Sequence, residues 1–284
     1  MKYNIHSREK KITLVREYMS KGGNKSKFCR ERGLNLGTFE SWVRKFGNDE
    51  AKENKLILVI SDMHIPYHHQ DSFAFLRALK KKYNFTRIIN IGDEVDNHGI
   101  SFHDSDPDLL SAGDELKASQ AACAELQGIF PIMDLVHSNH GSLSYRRGKA
   151  GGIPRHFLRD YNDVLLVDDG WQWHDEIILE SGLTSIIFRH QFSANVLKAA
   201  EQMGMSCVQG HYHSKFVIEY TSSPLALNWG MTVGCLIDPE ALAFEYNKLQ
   251  TKRPIIGVGI IDNGMPRLIP MLLGGDGRWT GVVP

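Results

Sequence analysis

Leu56-Ile57-Leu58-Val59-Ile60-Ser61-Asp62-Met63-His64 is the stretch on which the fold turns. Five aliphatic residues without polar alternation read as a strand covered on both faces, the kind found where helices flank a mostly parallel sheet. The strand ends in a carboxylate and an imidazole two positions apart. In an extended segment side chains at i and i+2 share a face, so Asp62 and His64 are expected to point the same way and grip one ion. Downstream, Phe73, Phe75, Leu76 and Leu79 predict a helix from Asp71 to Lys82. A second apolar strand, Arg87 to Ile91, then runs into Gly92-Asp93-Glu94-Val95-Asp96-Asn97. This is a βαβ unit with acids at both strand ends, where open α/β sheets place their ligand sites.

The pattern continues outward. A long helix over Leu109 to Gln127 precedes a strand in the segment Ile129 to His137, which ends in Ser138-Asn139-His140-Gly141. Ser185-Ile186-Ile187-Phe188 ends at Arg189-His190, and Met205-Ser206-Cys207-Val208 leads to Gln209-Gly210-His211-Tyr212-His213. Trp171 and Trp173 alternate like one face of a strand. Five strand ends thus carry Asp, His, Asp, Asn, His, His and His. The remaining histidines, among them His68, His69, His137, His156 and His174, read as core or surface residues, and His98 borders the Asp96 loop.

The order Asp-x-His, Gly-Asp-x-x-Asp, Asn-His, His, Gly-His-x-His over Leu56 to Met271 resembles the calcineurin-like metallophosphoesterase superfamily, in a phage-type form. The resemblance implies an α/β fold: a two-sheet sandwich flanked by helices that holds two divalent metal ions. It further implies that Asp62, His64, Asp93 and His213 bind one ion and Asp93, Asn139, His190 and His211 the other, with Asp93 as bridge. Imidazoles and carboxylates suit borderline ions, Mn²⁺ first, with Fe²⁺, Zn²⁺ or Ni²⁺ as alternatives, and seven donors exceed what one ion needs. The implied reaction is phosphoester hydrolysis by a water that the two cations activate. In that family the histidine after the metal-binding Asn, here His140, lies near the leaving oxygen, and the second Asp of Gly-Asp-x-x-Asp, here Asp96, pairs with it as a catalytic partner. Three positions depart from the pattern. Ser138 replaces a glycine, Gly141 replaces an acid, and Asn97 stands where protein-phosphatase branches carry Arg.

Net charge divides near residue 48. Met1 to Asn48 holds twelve Lys and Arg against four acids, a net +8, so the remainder of a chain with no formal net charge carries −8. A small basic segment beside an acidic body points to an anionic partner for the former, nucleic acid foremost, with a solvated basic face as the plain alternative. Ile12, Val15 and Met19 predict a first helix ending at Gly22-Gly23, Lys25 to Arg32 a second, and Phe39, Trp42, Val43 and Phe46 a third capped by Asn35. Thr38, Ser41, Arg44 and Lys45 lie on the opposite face of the third helix, residue types that contact bases and phosphates of DNA in a major groove. Ser26 to Phe46, with Gly33, Asn35 and Trp42, resembles the helix-turn-helix at the start of many transposases and phage DNA-binding proteins. A three-helix interaction module is the other reading.

The expected organisation is therefore a small all-α basic module over 1–48, a polar linker over 49–55 and a metallophosphoesterase domain over 56–284. Four scattered cysteines suggest neither a disulfide frame nor a zinc clip, and no apolar run is long enough for a membrane span, so a cytoplasmic enzyme without membrane contact is expected. Preferred is a nuclease or phosphodiesterase recruited to DNA by the N-terminal module. The alternatives are a phosphomonoesterase acting on DNA ends, nucleotides or phosphoprotein, and a non-catalytic DNA-binding regulator. Arg146, Arg147, Lys149 and Arg155, just after the Asn139-His140 turn, read either as a guide for a phosphate chain or as solvated charges. Oligomeric state stays open.

Overall fold

In the computed structural model the described residues are 8–21, 24–46, 55–102, 106–180, 184–224, 226–241, 243 and 252–284. The Gly22-Gly23 stop and linker residues 49–54 lie outside them, as do the side chains of Arg44 and Lys45. The chain divides into two compact units, Met1–Glu53 and Asn54–Pro284.

The first unit is all α: α1 (Arg8–Lys21), α2 (Lys25–Glu31) and α3 (Leu36–Phe46). Asn24 and Asn35 cap α2 and α3 by accepting the backbone N–H groups of Lys27 and Thr38 at 3.1 and 3.0 Å. Phe39 and Trp42 pack with Leu14, Val15 and Cys29 in one core against Val43 and Phe46, as the helical spacing of these residues predicts. Met19 departs from its expected stripe and is exposed. The core closes on Tyr18 and Phe28, whose rings flank Phe39 at 5.6 and 5.2 Å, and it leaves no side for a methionine one turn beyond Val15.

In the second unit the elements are β1 (Leu56–Ile60), α4 (Ser72–Lys82), β2 (Arg87–Asn90), α5 (Ala112–Ile129), β3 (Met133–Val136), α6 (Leu143–Ala150), α7 (Tyr161–Leu165) and β4 (Trp171–His174). There follow β5 (Ile177–Glu180), β6 (Ser185–Phe188), α8 (Val196–Met203), β7 (Ser206–Gln209), β8 (Val217–Ser222), β9 (Leu227–Thr232), β10 (Gly257–Asp262) and β11 (Met265–Pro270). One sheet runs β11-β10-β1-β2-β3-β4 and the other β5-β6-β7-β9-β8. Strands β1 to β4 are mutually parallel, as are β6, β7 and β9, whereas β10, β11, β5 and β8 pair antiparallel with their neighbours.

Alternation along β1 shows why its residues are all apolar. Ile57 and Val59 enter the core between the sheets with Ile89, Phe188 and Val208, whereas Leu58 and Ile60 face Phe75, Leu76, Leu79 and Leu126 of α4 and α5. On the far side, Ile187 and Cys207 pack against Val196, Ala199 and Ala200 of α8. The result is an α/β sandwich of two sheets flanked by helices. Helix α5 starts at Ala112, three residues later than its apolar pattern suggests, because the Ser111 side chain caps it by accepting the Asp114 N–H at 3.2 Å. All four cysteines are buried and free. Among the described residues no helix is long and apolar enough to cross a membrane.

Candidate metal centre

Every expected donor follows the carboxyl end of a strand: Asp62 and His64 after β1, Asp93 after β2, Asn139 after β3, His190 after β6, and His211 and His213 after β7. The reason for the convergence of Asp62 and His64 differs from the extended-strand argument. Strand β1 ends at Ile60, and both residues sit at φ 49°, as do Asp93 at 50° and His211 at 65°. Four donors thus occupy the left-handed region that non-glycine residues avoid, a strain that persists only where surrounding structure imposes it. Here the two loops are laced together: Asp62 N–H donates to Gly92 O at 3.1 Å and His64 N–H to Asp93 O at 2.9 Å.

The donors form two groups. Asp62, His64 and His213 offer atoms within 4.8 Å of one another, and so do Asp93, His190 and His211; His64 forms a third such set with Asp96 and His140. In the first, His213 Nε2 lies 3.2 Å from both Asp62 Oδ1 and His64 Nε2. In the second, His190 Nε2 lies 3.1 Å from Asp93 Oδ2 and 3.3 Å from His211 Nδ1. Asp93 Oδ2 is also 3.7 Å from His64 Nε2, so one carboxylate faces both groups.

The donor set fits divalent metal. His190 Nδ1 bonds the Ile91 carbonyl at 3.0 Å and His64 Nδ1 meets Asp96 Oδ1 at 2.5 Å, which turns the Nε2 atom of each ring into the cleft. Carboxylates and carbonyls on the far nitrogen are the usual orienting partners of metal-bound imidazoles. Asn139 Oδ1 is buried without a hydrogen-bond partner among the described residues, a cost expected of an oxygen that serves a cation.

Charge in the cleft is arranged accordingly. Burial opposes ionisation of Asp62 and Asp93, yet the neighbouring imidazoles hold both carboxyls below their usual range, Asp93 well below it. Burial pulls His64 and His211 downward, so both are ready to donate a lone pair. His190 is the exception: burial would lower it, but Asp93 and then Asp62 raise it to about 9. Without an ion it carries a proton at neutral pH, and that proton must leave before its Nε2 can bind metal. Apparent Mn²⁺ affinity should therefore climb up to about tenfold per pH unit toward pH 9 and level off above, with about one proton released for the ion His190 binds. Calorimetry in buffers of different ionisation enthalpy reads this directly; a flat affinity from pH 6.5 to 9 would contradict it.

His140 stands at the rim, its side chain 26% exposed against 3% for His64, with the two ring centroids 4.6 Å apart. Its Nδ1 donates to the backbone carbonyl of Asp96. The Asp96 carboxylate meets both imidazoles, but its shorter contact is with His64, at 2.5 Å against 3.4 Å for His140. Asp96 therefore orients a metal-facing histidine as well as flanking the expected proton donor.

The three departures from the family pattern prove to be parts of the scaffold. Ser138 Oγ accepts the N–H groups of Asp93 at 2.9 Å and Gly141 at 3.1 Å, pinning two donor loops to each other. A Cβ at Gly141 would meet Ser138 Oγ at 3.1 Å and the buried Glu94 carboxylate at 3.3 Å, so the missing side chain makes room for an acid supplied by another loop. Burial pushes Glu94 up to about 7. Asn97 donates its amide to the His140 carbonyl at 3.1 Å. Gly210 also shapes the site: a Cβ there would fall onto Ser61 Oγ and Asp62 Oδ2. Its position directly before a donor histidine is the signal for this in the sequence. The gap lets His211 N–H bond both Asp62 oxygens, at 3.1 and 2.9 Å.

On α3 of the N-terminal unit, Thr38 and Ser41 are exposed. Thr38 Oγ1 bonds Asn35 Oδ1 at 3.2 Å and Ser41 Oγ donates to Thr38 O at 3.0 Å, so both hydroxyls take part in the helix start.

No protein-family model and no curated protein matches the chain. Among solved structures, Vps29 from Chaetomium thermophilum aligns at 13% identity and a TM-score of 0.41, covering 82% of this chain and 95% of its own. A Vps29 single mutant from Entamoeba histolytica aligns at 11% and 0.39, over 81% and 96%. Pseudomonas putida nuclease MPE aligns at 13% and 0.33, over 75% and 86%. At such values the chain's own residues carry the reading.

Proposed function

We propose that this chain is a dinuclear metal-dependent phosphoesterase of the calcineurin-like kind, acting on nucleic-acid phosphodiesters to which the basic N-terminal helices recruit it. The observation that carries the proposal is the pair of donor groups meeting at Asp93, whose Oδ2 is 3.1 Å from His190 and 3.7 Å from His64. Asp62, His64, Asp93 and His213 would hold one ion and Asp93, Asn139, His190 and His211 the second. When bound, the two cations would neutralise phosphoryl oxygens and make a water acidic enough to attack phosphorus at neutral pH.

The chain's own residues do the rest. Asp96 and Ile91 O fix the rings of His64 and His190, and Ser138 holds the Asp93 and Asn139 loops in register. His140 has its Nδ1–H committed to Asp96 O, so Nε2 is the nitrogen that can pass a proton to the departing oxygen. It stands beside the buried donors and opens to solvent, as a leaving group requires. No protein nucleophile is needed.

A diester is favoured over a phosphoprotein by Asn97, which offers an engaged amide where protein phosphatases carry a phosphate-binding Arg. The test is turnover by the Mn²⁺-loaded full chain of bis(p-nitrophenyl) phosphate, p-nitrophenyl phosphate and end-labelled DNA. Cleavage of the diester and of internal DNA linkages is expected; turnover of the monoester alone would overturn the diesterase reading, and metal-free protein that binds duplex DNA would favour a regulator.

A further inference from the structure

The segment immediately beyond the His140 turn has a composition unlike the acidic body around it. Leu143 to Arg159 contains Arg146, Arg147, Lys149, Arg155 and Arg159 and no Asp or Glu. Each of these five side chains is exposed, and none makes an ion pair among the described residues. A solvated basic face normally carries polar neighbours; this one carries aromatic rings. Phe157 is 80% exposed, Phe102 49% and Tyr145 43%.

Three of the five cations are held by contacts. Arg146 donates to the carbonyl of Asn139 at 3.2 Å, and Arg147 donates to the carbonyls of Ile100, at 2.7 Å, and Ser101. The two guanidinium carbons lie 5.4 and 4.1 Å from the Phe102 ring centre, and Arg155 lies 5.9 Å from that of Tyr145. Leu158 turns inward, where it would touch a Cβ added at Gly148 at 3.0 Å, and the neighbouring Phe157 projects outward. Between Gly141, Tyr145, Arg155 and Arg159 opens a cavity of about 320 Å³, with Asp160 and Asp175 on its wall.

Alternating cations and exposed rings bind unpaired nucleic acid: cations follow the phosphates, and the bases stack on the rings, which bases paired inside a duplex cannot do. We infer that the 143–159 surface, with Phe102, seats a single strand of DNA leading to or from the His140 side of the cleft. DNA is preferred to RNA because the N-terminal helices resemble duplex-DNA readers. The inference rests on the nucleic-acid reading of the substrate, but its test does not need turnover.

Full-length chain is mixed with an oligothymidylate in EDTA, irradiated with ultraviolet light and digested, and cross-linked peptides are mapped by mass spectrometry. Cross-links at Phe157, Tyr145 or Phe102 are expected. Phe157→Ala should raise the dissociation constant for the oligonucleotide roughly five- to a hundredfold, the range of one lost base stack. Replacing Lys149, Arg155 and Arg159 together by Gln should flatten the logarithmic salt dependence by about 2. Cross-links confined to residues 8–46, unchanged affinity in Phe157→Ala, or tighter binding of duplex or RNA would each overturn the inference. Correct cross-links on a chain that hydrolyses no ester under Mn²⁺ would uphold this surface and defeat the enzymatic proposal instead.

Discussion

Asp93→Asn should abolish hydrolysis, with a loss of at least about a thousandfold, equivalent to about 4 kcal/mol of transition-state stabilisation. The substitution preserves shape and leaves an oxygen to accept the His140 N–H, which donates to Asp93 Oδ1 at 3.0 Å. It removes a carboxylate that faces both donor groups. Both ions should therefore be lost or weakened together, and metal analysis of the purified variant should find well below two per chain. A folded variant that retains two ions and full turnover would remove Asp93 from the bridge. Retention of one ion with complete loss of the other would assign Asp93 to a single site.

His140→Ala should produce the opposite combination, turnover reduced by about 10²- to 10⁴-fold with metal content intact. The side chain bonds a backbone carbonyl and stands at the rim; it belongs to neither proposed triad, although it lies close enough to His64 and Asp96 to share an ion with them. The identity of the leaving group separates proton transfer from a structural role. An alkoxide leaving from DNA needs a proton, whereas p-nitrophenolate departs without one, so the variant should lose far more activity on DNA than on the nitrophenyl diester. Equal losses on both substrates would make His140 a charge stabiliser, and parallel loss of metal would make it part of the scaffold.

Much of this site could be read in the sequence because parallel strands buried on both faces leave an unambiguous trace. Leu56 to Ile60 has no polar residue to offer either layer, and its donors follow at once. Asp62, His64, Asp93, His190, His211 and His213 come from four such ends, so their order along the chain translated into proximity, and Asn139 follows a fifth. The contacts made by Ser138, Glu94 and Gly141 could not be read that way. An acid at 94 fills the space above a glycine at 141 only because β2 and β3 are neighbours, and a hydroxyl at 138 reaches Asp93 only once both turns exist. The left-handed backbone at Asp62, His64, Asp93 and His211 is not legible locally either: Asp and His enter that region more readily than most residues, but tertiary packing decides where they do. The division of Asp96 among the imidazoles of His64, His98 and His140 likewise depends on ring positions set by separate loops.

The donors are shared between the two layers: Asp62, His64, Asp93 and Asn139 belong to the β1–β4 sheet, while His190, His211 and His213 belong to the other. Each donor group draws on both layers: His213 joins Asp62 and His64, and Asp93 joins His190 and His211. In the proposed enzyme a complete site therefore exists only where the two layers meet, and a bound pair of cations would rivet them across their shared mouth.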